Sequence, residues 1–193
     1  MFEVIQAYFE RSFRLTNEDM TLIRSVFIPK TLQKGEFLLR EGELARYGAF
    51  VCKGLLRSYI IDNKGKEHIV MFAPETWWIS NKGGAAEVSP STFFIDAIED
   101  SELLLLDKAG HLAMLEKVAG YAASFQVGIQ KHSAAKDQRI VHSLTASAEE
   151  KYNNFITAYP SIAQRVPQHM LASYLGLTPE TLSRIRRKAM EKK

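Results

Sequence analysis

"ASYLGLTPETLSRIRRK", residues 172–188, decides how the rest of this chain is read. Counting from Gln168 as the first position, Ala172 is fifth, Gly176 ninth, Leu182 fifteenth and Ile185 eighteenth. A small residue at the fifth place lets two helices approach, and glycine at the ninth permits a sharp turn. The later aliphatics pin a second helix to the first. Thr178 has the side chain of a helix N-cap, and Pro179 suits the first helical position, where its missing N–H removes no hydrogen bond. The spacing predicts a helix-turn-helix whose second helix begins at Pro179. With Leu182, Ile185 and Ala189 turned inward, a rotation of about 100° per residue puts Glu180, Ser183, Arg184 and Arg187 on the outer face.

Charge gives that face a partner. The 193-residue chain carries a net charge of only +3. Between Glu180 and Lys193, however, Arg184, Arg186, Arg187, Lys188, Lys192 and Lys193 stand against Glu180 and Glu191, a local +4 that leaves −1 for everything else. An arginine fork can bond both acceptors of guanine in the major groove, a glutamate can accept from cytosine, and further cations pair with phosphates. Base reading is expected of Glu180 and Arg184, assisted by Ser183, with Thr178, Arg186, Arg187 and Lys188 on the DNA backbone. The plainer alternative is an amphipathic helical hairpin with a solvated basic face. Cap, turn, small residue and localised charge agree in favour of double-stranded DNA.

Upstream, Phe2, Ile5, Phe9 and Phe13 recur at helical spacing, and Thr16 can cap a second short helix containing Met20, Ile23 and Phe27. From Ile28 to Asp107 short β-branched or aromatic runs (EFLLR, GAFVC, LLRSYII, EHIVMF, TFFIDAI, ELLLLD) alternate with turn residues at Gly35, Gly42, Gly54, Asp62-Asn63-Lys64-Gly65 and Pro74. That is the pattern of a closed or sandwiched antiparallel β domain. Beyond it Leu115, Val118, Ala122, Phe125 and Ile129 follow the 3, 4, 3, 4 spacing of a coiled-coil seam, softened by Gly120 and Gly128. The seam fits either packing within the chain or a dimer helix. Ser147-Ala-Glu-Glu150 is a capping box, so a new helix starts at about Ala148 and stops before Pro160.

Several classes fall away. At 46% hydrophobic and 24% charged residues, the chain has the composition of a soluble globular protein. Apolar runs such as Leu103–Leu106 are far shorter than the roughly 18 residues that cross a bilayer, and the charged start lacks a signal peptide's apolar stretch, so no membrane association and a cytoplasmic location are expected. One cysteine, Cys52, allows no internal disulfide and no multi-cysteine metal site; its apolar neighbours suggest a buried thiol. A cupin-type metal enzyme needs convergent ligands, yet only His68 of the five histidines falls in the β segment; His111, His132, His142 and His169 do not. No enzymatic activity and no metal are expected.

Taken together, the punctuated β segment, the connecting helix and "EKYNNFITAYPSIAQRVPQHMLASYLGLTPETLSRIRRK" make the chain resemble a CRP/FNR-family transcription regulator, and the tail is similar to Bacteroidetes-type members. The resemblance implies an α+β fold. Residues 1–107 would hold N-terminal helices and a cyclic-nucleotide-binding-like antiparallel β-roll (a double-stranded β-helix, cupin-like). Residues 108–146 would hold a helix and a long dimerisation helix, and 147–193 a winged-helix type DNA-binding domain with a short or missing wing. It further implies a homodimer through Leu115, Val118, Ala122, Phe125 and Ile129, and RNA polymerase as a further partner. Arginine is common in the family where Pro179 stands here.

The sensor half departs from the cyclic-nucleotide-binding members, whose Arg-Ser/Thr pair neutralises the cyclic phosphate. Here "PETWWISNKGGAAEVSPSTFF" keeps Glu75 but places Pro90-Ser91 or Ser91-Thr92 where that pair belongs. A buried phosphate without a cation loses a charge-assisted contact worth about 1.5–3 kcal/mol. Cyclic AMP is therefore not expected, no cofactor is identified, and Glu75, Trp77, Trp78, Ser91 and Thr92 are the effector-pocket candidates. Adjacent strand residues face opposite ways, so one of the two tryptophans would look inward, and a buried tryptophan most often simply fills core. Gly83-Gly84-Ala85-Ala86 lacks the spacing of a nucleotide-binding motif. A roll that receives a protein partner instead of a small ligand is the alternative.

Overall fold

The computed structural model describes residues 1–81 and 88–191, so the Gly83–Ala86 stretch lies outside it. The chain divides into two compact units: Met1–Ile60 with Phe72–Ile129, and Ile61–Met71 with Gln130 onward.

In the first unit α1 (Phe2–Glu10) buries Ile5 and Phe9. Thr16 opens α2 (Asn17–Val26): its hydroxyl accepts from Asp19 N at 3.1 Å while the Asp19 carboxylate accepts from Thr16 N at 2.8 Å. Two of the helix's unpaired donors are satisfied reciprocally. The chain then enters strand directly, so Phe27 begins β1 (Phe27–Leu32) instead of ending the helix.

Among the described residues ten strands follow in an α+β arrangement. One sheet runs β1-β10-β4-β7, built from β10 (Ser101–Asp107), β4 (Tyr47–Lys53) and β7 (Trp78–Ile79) beside β1. The other runs β2-β9-β5-β6: β2 (Phe37–Leu39), β9 (Phe94–Ala97), β5 (Leu56–Ile61) and β6 (Glu67–Ala73). A short pair joins β3 (Leu44–Ala45) to β8 (Ser89–Pro90). The registered pairs are antiparallel and the neighbours are mostly non-consecutive, as in an antiparallel β-roll.

The run Leu103–Leu106 is apolar throughout because β10 is covered on both faces. Leu104 and Leu106, with Phe50 and Cys52, face a cluster formed by Ile5, Phe9, Ile23, Met114, Val118 and Tyr121. Leu103 and Val51, pointing the other way, are equally buried. Truncating a fully buried aromatic such as Phe50 to alanine costs about 3–5 kcal/mol. Burial pushes the Cys52 thiol up to about 11, which makes it an inert core residue.

The expected seam is broken at Gly120. Asp107 caps α3 (Lys108–Lys117), its carboxylate accepting from Gly110 N at 2.7 Å. Val118 is already extended, Gly120 turns back with φ +91°, and α4 (Tyr121–Thr145) begins afresh. A Cβ at 120 would lie 2.7 Å from Phe13 Cβ and Cγ, so the position requires glycine twice over, for its dihedral and for its space. Leu115 therefore lies on α3 and Val118 at its end, buried in the N-terminal core, and neither shares a helix with Ala122, Phe125 and Ile129. A glycine weighed only for helix propensity hides a full stop of this kind.

The second unit is helical. Ser147 caps α5 (Ala148–Ala158) with the expected box: Ser147 N donates to Glu150 at 2.8 Å and Glu150 N to Ser147 Oγ at 3.3 Å. Pro160, at a first helical position, opens an unforeseen short helix, α6 (Pro160–Arg165). Next come α7 (Gln168–Leu175) and α8 (Pro179–Glu191). Phe155, Ile162, Val166, Leu171, Ala172, Leu182 and Ile185 form its buried interior. Residues 61–71, the turn and most of β6, belong to this unit although the sequence groups them with the strands.

Candidate nucleic-acid interface

The turn between α7 and α8 is made by backbone geometry that only a few residues adopt. Gly176 ends α7 at φ +67°; its N–H donates to Ser173 O at 3.2 Å, and Leu177 N donates to Ala172 O at 2.9 Å. These two bonds are a Schellman motif. A Cβ at Gly176 would meet nothing within 4 Å, so the dihedral alone selects glycine there. Thr178 then caps α8, its hydroxyl accepting from Thr181 N at 3.2 Å. Ala172 is fully buried, which lets Leu182 and Ile185 seat against α7.

Burying those two residues rotates Glu180, Ser183, Arg184, Arg187 and Lys188 into the open. Arg186 is half-buried, off the fully open face. Thr178 is exposed but its oxygen is committed to the cap, and it helps to hold Glu180 below the usual carboxylate range, after the larger effect of Glu180's own N–H. Glu180 is thus an anion and a pure acceptor at neutral pH. Lys188 Nζ meets Glu149 Oε2 of α5 at 3.3 Å, so a phosphate must compete for it. The side chain of Ala189 lies outside the described residues.

Two side chains that sequence reasoning missed tie the 61–71 segment to α7. The Ser173 hydroxyl accepts from Ile69 N and donates to Glu67 O, each at 3.0 Å. Arg139 of α4 donates to Val70 O, to Ile69 O at 3.1 Å and to Tyr174 O at 3.0 Å, with its guanidinium 4.0 Å from the centre of the Tyr174 ring. Nothing local in "DQRIVHS" marks this arginine, because its acceptors are main-chain oxygens remote in sequence. Within the same unit, Lys66, Glu67 and Ile69 line a cavity of ≈ 310 Å³ with His169, Met170, Ser173, Leu177 and Pro179.

The effector-pocket candidates do not converge. Trp78 pairs with Phe50 across the sheet and packs on Phe50 and Phe27, with ring centres 5.4 and 6.1 Å apart, which puts it in the helix-facing core. Trp77, half-buried, precedes β7, and its carbonyl accepts from Val51 N at 2.9 Å. Glu75 accepts from Gly54 N at 2.9 Å and so braces the β4–β5 turn. Ser91 is buried but bonds Phe93 through both its N–H and its carbonyl, and Thr92 is exposed. A buried ion pair of this unit lies elsewhere: Arg57 and Asp96, cross-strand partners on β5 and β9, bond at two points, 2.7 and 2.9 Å. Arg57 also lies 4.2 Å from the Tyr59 ring centre, and Tyr59 stacks on Phe94. Alternation along two short strands could have suggested this pairing, but not its register.

Along α4, Ala122, Phe125, Ile129, Ile140 and Leu144 fall within one stripe about 100° wide, and all are exposed; Leu144 is 81% accessible. Among the described residues no group of three or more His, Cys, Asp or Glu is placed to hold a metal, and no helix is long and apolar enough to cross a membrane.

Comparison with known proteins agrees with this geometry. Residues 29–118 match the cyclic nucleotide-binding domain family. No curated protein matches the sequence. FixK2 from Bradyrhizobium japonicum superposes with a TM-score of 0.76 at 20% identity over 86% of both chains. A putative transcriptional regulator of the CRP/FNR family from Eubacterium rectale gives 0.66 at 16% identity, over 92% of this chain and 85% of the other. The catabolite activator protein of Thermus thermophilus gives 0.55 at 20%, over 96% and 87%. At these identities the likeness to the solved structures is one of fold. Residues 29–118 thus match the cyclic nucleotide-binding domain family, and the chain has the fold of these solved structures, one of which is a putative transcriptional regulator of the CRP/FNR family.

Proposed function

We propose that this chain is a homodimeric, sequence-specific DNA-binding transcription regulator that acts in the cytoplasm. The observation that carries the reading is the division of α8 into an anchored side, Leu182 and Ile185, and an open side bearing Glu180, Ser183, Arg184 and Arg187. Glu180 and Arg184 read base edges with help from Ser183; Arg187 and Lys188, with Thr178 and Arg186 at the margin, hold phosphates. The exposed apolar side chains at the two ends of the α4 stripe, Phe125 and Ile129 on one side of Ser133 and Lys136, and Ile140 and Leu144 on the other, support self-association. A two-fold dimer sets two α8 helices in successive major grooves about 34 Å apart and reads a near-palindromic operator.

The roll does not act as a cyclic AMP receptor on this reading. Neither Ser91 nor Thr92 offers a cation, and the buried arginine, Arg57, is already neutralised by Asp96. A cyclic phosphate would have to displace Asp96 or leave it buried and unpaired.

Selection from a randomised pool of duplexes tests the proposal. The wild-type protein should enrich a near-palindromic sequence. Arg184→Ala should lose about 1–3 kcal/mol on that sequence and relax choice at one position in each half, whereas Lys188→Ala should weaken every sequence alike. Equal losses on all sequences for both variants refute the assigned roles.

A further inference from the structure

The unit that carries α8 has a second cationic element in the turn between β5 and β6. In Asp62-Asn63-Lys64-Gly65-Lys66, one Asp62 oxygen accepts from Lys64 N at 2.8 Å and Lys66 N at 3.0 Å, and the other meets His68 Nε2 at 2.8 Å. Asp62 N donates to Lys66 O, and Gly65 N to Asp62 O, which closes the turn. The carboxylate is thereby occupied by the turn itself. The Lys64 and Lys66 side chains stand exposed, and neither has an ion pair among the described residues.

This turn is held against the helix-turn-helix. Ser173 of α7 grips Ile69 N and Glu67 O, and Arg139 grips the carbonyls of Ile69 and Val70, so the strand leading from the turn is bonded to the helix that precedes α8. Lys66 lines the same cavity as Pro179, the first residue of α8, and the N-terminal part of a recognition helix is the part that meets base edges. Glu67 shares that cavity wall and would repel a phosphate on its own side, which leaves the tip of the turn as the approachable part.

We propose that the β5–β6 turn is a second DNA contact, in which Lys64 and Lys66 pair with backbone phosphates bordering the groove that α8 enters. The proposal rests on the reading of α8 as a DNA-recognition helix. Two exposed lysines gain little from partners within a protein, but each phosphate they neutralise releases condensed counterions. The contact carries no base information; it fixes how the unit is oriented on the duplex.

The test uses the full chain and the duplex that it selects from a randomised pool. In Lys64→Ala/Lys66→Ala, which removes two lysines from each protomer of the dimer, the slope of log Kobs against log salt should fall in magnitude by about 3.6, affinity should drop at least roughly tenfold at moderate salt, and base preference should be unchanged. Lys64→Arg/Lys66→Arg should keep the wild-type slope. Independently of any substitution, duplex should protect the Lys64 and Lys66 amines of the wild type from acetylation. An unaltered slope with unprotected amines, while Arg184→Ala still loses discrimination, overturns this proposal and leaves α8 as the reader. If the wild-type protein selects no duplex at all, both fall.

Discussion

Gly120 stands against the ring of Phe13, close enough that a Cβ at 120 would sit 2.7 Å from Phe13 Cβ and Cγ. Its φ of +91° adds a second objection to any side chain. Gly120→Ala should therefore destabilise by more than the roughly 1–2 kcal/mol that a left-handed conformation costs an L-residue. Gly176→Ala also has positive φ but open space, and should cost only about 1 kcal/mol. Urea denaturation of the two variants checks the order. Equal losses would mean that Phe13 moves aside freely.

On the proposed reading the α4 stripe carries the dimer contact. Ile140→Asp together with Leu144→Asp puts two charges into the exposed apolar row without touching either buried core. Sedimentation equilibrium should show the wild type as a dimer and the variant as a folded monomer with weakened operator binding. A variant that remains dimeric would move the interface off α4.

Asp62 supplies a pH dependence whose sign is fixed. Its carboxyl is held at about 2, below the ordinary 3.8, first by the His68 side chain and then by the N–H groups of Lys66 and Lys64. A depressed carboxyl contributes stability that is present above the unfolded pKa and is lost as pH falls through the folded one. The turn should hold its order down to about pH 4 and lose it between there and pH 2. Carboxyl carbon shifts of Asp62, with exchange of the Lys64 and Lys66 amides, report this. Asp62→Asn should abolish the transition, and a midpoint near 4 in the wild type would contradict the bonded turn.

The Arg57–Asp96 pair bears on the proposal that the roll does not receive cyclic AMP. Asp96→Ala leaves a buried guanidinium without its carboxylate and should cost about 3–5 kcal/mol in thermal or chemical unfolding. With the pair intact, millimolar cyclic AMP should leave Tm where it was. A dose-dependent rise in Tm would mean that the roll holds a phosphate by a route that does not need Arg57.

The chain's legibility from sequence follows the range of the interactions involved. Spacing from Gln168 to Ile185, the Thr178 cap and the Ser147 box each depend on neighbours within a few turns, so residue types alone imply them. The β-roll was legible for a related reason: turns at Gly35, Gly42, Gly54 and Gly65 separate runs whose apolar content is continuous where both faces are covered, as in Leu103–Leu106. Nothing in the sequence singles out Ser173, because its partner Ile69 lies 104 positions away. Separations of 35 to 70 positions likewise hid the partners of Arg139, and with them the allegiance of residues 61–71. Leu115 and Val118 were drawn into a seam because a 3, 4 spacing survives on paper across a break that a single left-handed glycine makes in space. Trp78 packs on Phe50 and Phe27, a contact between strands that its neighbours in sequence do not mark.

The most direct measurement is methylation interference on the selected operator. Methyl groups at guanine N7 project into the major groove, where an arginine fork would bond. Binding by the wild type should be blocked by methylation at one guanine in each half-site, the two about 34 Å apart along the duplex, and Arg184→Ala should become indifferent to both. Interference that persists unchanged in Arg184→Ala, or that is confined to minor-groove adenines, would contradict the claim that the open side of α8 reads DNA.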